Sequence, residues 1–218
     1  MNQENPGYIV VEGPIGVGKT SLARRLAQSF GSELLLEEVD ENPFLERFYK
    51  DPKATALPTQ LFFLFQRTQQ LQALRQGDMF RPLIVSDFLM EKDRLFARLT
   101  LDDDELRLYE QVYQHLAVAA PPPDLVIYLQ APVPVLLERI QQRSRPYEQQ
   151  ISADYLERLA ESYTRLFHQY SATPLLIVNA AEFNPVDNEM DYNALLEEVL
   201  ATRSGRRYFN PLPFELIK

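Results

Sequence analysis

Residues Gly13-Pro14-Ile15-Gly16-Val17-Gly18-Lys19-Thr20 satisfy the spacing G-x-x-x-x-G-K-[ST]. Glycines let a backbone curl so that successive N–H groups face one concavity. A helix beginning where the loop ends adds free donors and partial positive charge. Lys19 would bring a full charge to the β- and γ-phosphates, and Thr20 a hydroxyl for Mg²⁺. The chemistry such a loop performs is the holding of a nucleotide's polyphosphate. A glycine turn that merely precedes Lys-Thr is the plain alternative, and the flanks decide against it. Tyr8 to Val11 reads as a buried strand, while Leu22, Ala23, Leu26, Ala27 and Phe30 recur at helical spacing.

Carboxylates and guanidinium groups elsewhere extend that chemistry. Asp87 follows the apolar run Leu83-Ile84-Val85-Ser86, where a strand-end carboxylate beside a phosphate loop serves a metal ion. It would equally cap a following helix. Glu37 and Glu38 close a second short strand, and either suits proton acceptance from a hydroxyl. A solvated turn in the acidic stretch EEVDEN is the alternative there. Arg139 and Arg143 lie one helical turn apart and Arg145 follows in a loop. Guanidinium groups on a closing loop would stabilise charge on a transferred phosphoryl group and exclude water. A basic helix end that complements the helix dipole is the alternative.

These residues need elements to position them. Strands are predicted at Tyr8–Val11, Glu33–Leu36, Pro82–Asp87, Asp124–Leu129 and Pro174–Val178. Helices are predicted between them, including Thr59–Gln76, Lys92–Leu99, Asp104–Ala119, Val133–Gln142, Ala153–Tyr170 and Tyr192–Leu200. Strict alternation implies an α/β fold with a parallel sheet covered on both faces. Right-handed crossovers then gather Gly13, Glu37, Asp87 and Asn179 along one sheet edge.

With 218 residues and 45% hydrophobic content, one domain over 1–218 is expected. Net charge of −9 argues against a broad duplex nucleic-acid surface and leaves room for small anionic ligands at a local basic cluster. There are no cysteines, so disulfides and thiolate metal sites are excluded. A polar start and the lack of any apolar run near 18 residues suit a cytoplasmic protein away from membranes. His115 and His168 read as structural or surface residues.

Taken in order, the motifs resemble the deoxyribonucleoside kinase family from about Tyr8 to Phe167. The resemblance implies a P-loop kinase fold with a five-stranded parallel sheet, an arginine-rich lid at about 143–152 and a C-terminal tail at about 202–218. Glu37-Glu38-Val39 stands where the family has Glu-Pro-Val, which makes Glu37 the implied general base. NPFLERFYKDP implies Tyr49 at the sugar, and Phe65-Gln66 resembles the pair that walls and reads the base. Arg139, Arg143, Arg145 and Glu148 fit the lid pattern R-x-x-x-R-x-R-x-x-E, which implies three arginines on phosphate and Glu148 on the 3′-hydroxyl. Tyr155 resembles a further tyrosine near the site. One departure stands out. Asp87-Phe88-Leu89 replaces Asp/Glu-Arg-Ser, so an arginine beside the base is lost. Lys92, one turn after Phe88, is the expected substitute, while Asp93 matches an aspartate beside the nucleobase. The base-reading arginine of some relatives is matched to Ala73.

The expected activity is ATP- and Mg²⁺-dependent phosphorylation of a deoxynucleoside 5′-hydroxyl, favouring a purine deoxynucleoside or deoxycytidine over thymidine, by a homodimer. Two other readings are a monophosphate kinase of the thymidylate type and a nucleotide-binding accessory protein. The acidic residues Glu37, Glu38, Asp40 and Glu41 oppose the first, and the intact loop and lid oppose the second.

Overall fold

The computed structural model describes residues 7–76, 83–116 and 121–211. Strands β1 (Tyr8–Glu12), β2 (Glu33–Leu35), β3 (Ile84–Ser86), β4 (Leu125–Gln130), β5 (Leu175–Asn179) and β6 (Arg206–Phe209) form one sheet in the order β2-β3-β1-β4-β5-β6. Every neighbouring pair is parallel, with Val10 opposite Ser86 on one side and Val126 on the other. β1 therefore sits centrally and is buried throughout, which is why its apolar residues run without alternation.

Eight helices alternate with the strands among the described residues: α1 (Lys19–Phe30), α2 (Leu45–Lys50), α3 (Pro52–Gln76), α4 (Lys92–Thr100), α5 (Asp103–Leu116), α6 (Val133–Arg143), α7 (Ala153–Gln169) and α8 (Glu189–Ala201). α1 lays Leu22, Ala23, Leu26 and Ala27 into the core. α7 is capped by Ser152, whose side chain accepts from the Tyr155 amide. It stacks Phe167 on Tyr128 of β4 at 4.2 Å between ring centroids. Burying an aromatic ring of this size contributes about 1.5–3 kcal/mol.

The sheet has a sixth strand that the residue pattern does not announce. β6 is short, starts with Arg206-Arg207 and is largely exposed, so no hydrophobic alternation marks it. Its order comes from backbone pairing with β5 and from Arg206, whose guanidinium donates to the carbonyls of Phe167, His168 and Tyr170 at the end of α7. Part of the expected tail is thus a strand.

α3 also differs from expectation, beginning at Pro52 rather than Thr59 and carrying Pro58 inside. Pro58 lies in the second turn, where it removes the bond that an amide there would give to the Ala54 carbonyl. Pro82 and Ala119, the expected ends of a strand and a helix, lie outside the described residues.

Candidate active site

The phosphate loop takes its shape from positive-φ glycines. At Gly13, φ is +147° and a Cβ would lie 2.5 Å from the Leu129 carbonyl oxygen; at Gly16, φ is +84° and a Cβ would lie 2.8 Å from that of Leu136. Gly18 occupies the N-cap of α1 without a side-chain hydrogen bond, so the first amides of the helix are left to a ligand. Lys19 Nζ folds back on its own loop, donating to the carbonyls of Gly13 (2.7 Å) and Pro14 (3.1 Å). Burial lowers its pKa to about 8, assisted by the Lys92 ammonium and opposed by Glu12, Asp87 and Glu37.

Thr20 and Asp87 meet as expected. Thr20 Oγ1 donates to Asp87 Oδ2 at 2.5 Å, while Asp87 Oδ1 accepts the Glu37 amide at 2.8 Å. Asp87 thereby fixes the Glu37 backbone to the phosphate loop. This pair of hard oxygen donors suits Mg²⁺, an ion held by few protein ligands and completed by water and phosphate. No cluster of three or more His, Cys, Asp or Glu side chains that would cage a metal occurs among the described residues.

Behind the loop runs a chain of buried charges. The Glu12 carboxylate, 1% exposed at the end of β1, accepts the amides of Gly13 (2.8 Å) and Leu89 (3.0 Å) and the Tyr163 hydroxyl (3.0 Å). Lys92 Nζ stands 3.5 Å from Glu12 and 3.0 Å from Glu37. The Arg67 guanidinium joins Glu37 on one side and Asp93 on the other. Charges alternate in sign along Glu12, Lys92, Glu37, Arg67 and Asp93, so each buried ion has an opposite neighbour. Burial pushes the Glu37 carboxyl up, but Arg67 and Lys92 together outweigh it and hold its pKa down at about 2. Lys92 occupies the place expected of the lost arginine's charge.

Glu37 opens into a cavity of about 800 Å³ that extends from the phosphate loop to α3. Tyr49, Tyr155 and Glu148 line one wall of it, as expected. Burial keeps both tyrosine hydroxyls protonated well above the usual phenol range.

The far end corrects the expected base-reading pair. Phe65 is 46% exposed and points away, and Gln66 lies behind the wall, donating to the Glu38 carbonyl at 3.2 Å. Gln60, Phe63, Arg67 and Gln70 line the cavity instead. They stand at i, i+3, i+7 and i+10, one face of α3, whereas Phe65 falls on the opposite face. That spacing is the signal that would have found them. Ala73 is exposed and away from the cavity; the arginine that α3 does bring to it is Arg67, whose guanidinium lies 5.0 Å over the Phe63 ring. Asp93 is fully buried and meets the cavity only through Arg67. Arg67 Nε and Gln70 Oε1 are buried without a partner among the described residues.

A second cavity of about 470 Å³ lies on the other side of the loop, between Arg139, Arg143 and the segment Phe183–Asp187. The two cavities share Gly16, Lys19, Thr20, Ser21 and Arg143. Arg139 donates to the carbonyls of Val17 (3.3 Å) and Ala180 (2.8 Å), joining the loop to β5's exit. Arg25 holds the segment through the carbonyls of Pro185 (3.0 Å) and Val186 (2.5 Å), a role that helical patterning did not suggest. Asn179 does not join this convergence, since it lines a separate groove with Gln130 and Tyr208.

The lid begins at Ser144, which caps α6 at φ 54°. Arg143 forks onto Glu148 at 2.6 Å, and Arg145 turns to Asp40 at 3.1 Å. Neither arginine is bonded to the phosphate loop.

Comparison with known proteins gives one consistent result. The family model for deoxynucleoside kinase matches residues 9–203. A deoxyguanosine kinase of Bacillus subtilis is 35% identical over 201 residues, covering 88% of this chain and 95% of that protein. A deoxyadenosine kinase of Lactobacillus acidophilus is 31% identical over 207 residues, covering 88% and 94%. The solved deoxyadenosine kinase of M. mycoides, with dCMP and a flexible dCDP bound, superposes with a TM-score of 0.77 at 25% identity, covering 89% of this chain and 99% of that one.

Proposed function

The chain belongs to the deoxynucleoside kinase family, an enzyme that phosphorylates deoxynucleosides, and from that premise we propose how its own residues divide the work. One observation carries the assignment: two cavities meet over Lys19, one holding Glu37 and the other bounded by Arg139 and the Phe183–Asp187 segment. The first takes the acceptor nucleoside and the second takes ATP, the donor that family membership implies.

Loop amides and the α1 N-terminus bind the polyphosphate, and Lys19 leaves its two carbonyl partners for the phosphates. Thr20 and Asp87 would hold Mg²⁺, which supplies neutralisation of phosphoryl charge. Gly13 through Gly18 shape the loop, Arg139 stands against it through the Val17 carbonyl to serve the donor phosphates, and Arg143 and Arg145 come to the transferred group as the lid closes.

Glu37 orients the 5′-hydroxyl. With a pKa near 2 it is a weak base toward a free alcohol. It accepts the proton late, once bonding to phosphorus has made that hydroxyl acidic, which agrees with a loose transition state. Lys92 and Arg67 keep it ionised and aimed. Tyr49 and Glu148 bind the sugar, with Tyr155 beside them. Phe63 and the amides of Gln60 and Gln70, each able to donate and accept, contact the base. Asp93 acts on the base through Arg67. A purine deoxynucleoside or deoxycytidine is favoured over thymidine, in keeping with the deoxyguanosine and deoxyadenosine kinases this chain is similar to.

The functional unit is a cytoplasmic homodimer, where ATP and nucleosides are both at hand. Phe65 and Leu108, exposed on the packed pair α3 and α5 away from the site, support that contact. ADP release measured with ATP, Mg²⁺ and each of the four deoxynucleosides tests the whole reading. Release with a purine deoxynucleoside or deoxycytidine above thymidine is expected. ATP binding with no release for any of the four defeats it.

A further inference from the structure

The acidic 3-10 turn after Glu37, Val39–Glu41, reaches across the acceptor cavity's mouth to the lid. Its contact is made by three groups in a closed triangle. Tyr147 Oη donates to Asp40 Oδ1 at 2.6 Å, Arg145 Nη2 donates to Asp40 Oδ2 at 3.1 Å, and Arg145 Nη1 donates to Tyr147 Oη at 3.3 Å. The Tyr147 ring also lies nearly parallel to Tyr49, 6.0 Å between centroids. The remaining acceptor facing Arg145 is Glu148, at 3.7 Å, and that carboxylate is already forked by Arg143.

We propose that Asp40 and Tyr147 are positioning residues for Arg145, forming a latch that competes with the donor polyphosphate for its guanidinium. The inference rests on the assignment of the lid arginines above. Its physical basis is a difference in strength between two partners. The Asp40 side chain is 69% exposed and that of Arg145 32% exposed, so water screens their attraction. A triphosphate in the loop offers several charged oxygens in a drier setting and makes the stronger partner. The latch holds the arginine when no nucleotide is bound and yields it when one arrives. Because Asp40 stands on the segment that follows Glu37, and Tyr147 rests on Tyr49, the latch lies on the acceptor side of the cleft while the group it releases serves the donor side. Asp40 thereby taxes nucleotide binding and leaves the chemical step alone.

Calorimetry with ATP and Mg²⁺ on the full chain tests this directly. Asp40→Asn keeps the size of the side chain and removes its charge, and it is expected to lower the Kd for ATP about two- to fivefold, the range open to one exposed ion pair. Asp40→Glu restores the wild-type value. Arg145→Ala weakens ATP binding, and adding Asp40→Asn to it produces no further change. Tyr147→Phe, which keeps the ring stack and loses the hydroxyl, shifts the Kd in the same direction as Asp40→Asn by a smaller factor. In steady state, Asp40→Asn leaves kcat and the nucleoside KM within twofold while the KM for ATP falls. The proposal is overturned if Asp40→Asn leaves the ATP Kd unchanged or raises it, or if it tightens binding equally in the Arg145→Ala background. A chain that shows the latch in calorimetry but phosphorylates no deoxynucleoside would contradict the functional reading and not this one.

Discussion

Lys92 Nζ lies 3.0 Å from Glu37 Oε2 although the two residues are 55 positions apart in sequence. Both side chains are largely buried, so neither has water to fall back on. Lys92→Ala leaves Glu37 and Glu12 facing a void, and removal of one member of a buried ion network costs about 3–5 kcal/mol. The expected outcome is a fall in turnover of at least about tenfold with a lower Tm, and partial recovery of both in Lys92→Arg. Turnover of Lys92→Ala within a few-fold of wild type would show that the lysine does not stand in for the missing arginine.

Glu37→Gln keeps the shape and removes the charge. Turnover is expected to drop by about 10²- to 10⁴-fold, the span of a general base. The pH response follows from the depressed pKa. Glu37 is ionised in the folded chain down to about pH 2, so an acid limb of kcat/KM near pH 4 to 5 would not belong to it. Its stabilising contribution is present above the ordinary carboxylate pKa and is lost as pH falls through about 2. Acid unfolding of Glu37→Gln should therefore be less steep across that interval than that of the wild type.

Lys19 predicts a limb on the other side. Its ammonium titrates near pH 8 in the free chain, so kcat/KM for ATP should decline as pH rises through that value. Bound phosphate favours the charged form, and the matching limb in kcat should lie higher. For stability the slope has the same sign as that of Glu37, in a higher pH window. Between about 8 and the ordinary lysine value the unfolded chain holds the extra proton, and stability from this group rises with pH. A limb near pH 8 that persists in Lys19→Arg would assign it to another group.

Phe63 and Phe65 separate cleanly. Phe63→Ala removes cavity wall and is expected to raise the nucleoside KM by about tenfold or more, since losing a buried ring contact costs about 1.5–3 kcal/mol. Phe65→Ser should leave that KM within twofold, because its ring faces away from the cavity. Comparable effects of the two substitutions on the nucleoside KM would restore the pair first read from the sequence.

Much of the loop's surroundings was legible in the residues. Motif spacing gives the phosphate loop, parallel strand ends gathered on one sheet edge bring Asp87 to Thr20, and the resemblance points to Lys92 beside Glu37. The base end was not, for a reason of phase. A long helix of mixed composition that buries Thr59, Gln60, Gln66, Arg67 and Thr68 beside its apolar residues has little amphipathic contrast, so neither Phe65 nor Phe63 announces which way it faces. Glu12 escaped notice because it reads as the polar end of a strand, and its three donors come from the loop, from the segment after β3 and from α7. β6 was hidden because an edge strand is held by backbone pairing and carries no hydrophobic signature.

The Asp87 carboxylate gives one oxygen to Thr20 and the other to the backbone of Glu37, while the residues we propose for the nucleobase line the cavity from a separate helix, α3. One residue of that face, Arg67, also grips Glu37. The side chains of Gln60, Phe63 and Gln70 can therefore change to retune which nucleoside is preferred, while Arg67 is held in place by the carboxylate it steadies.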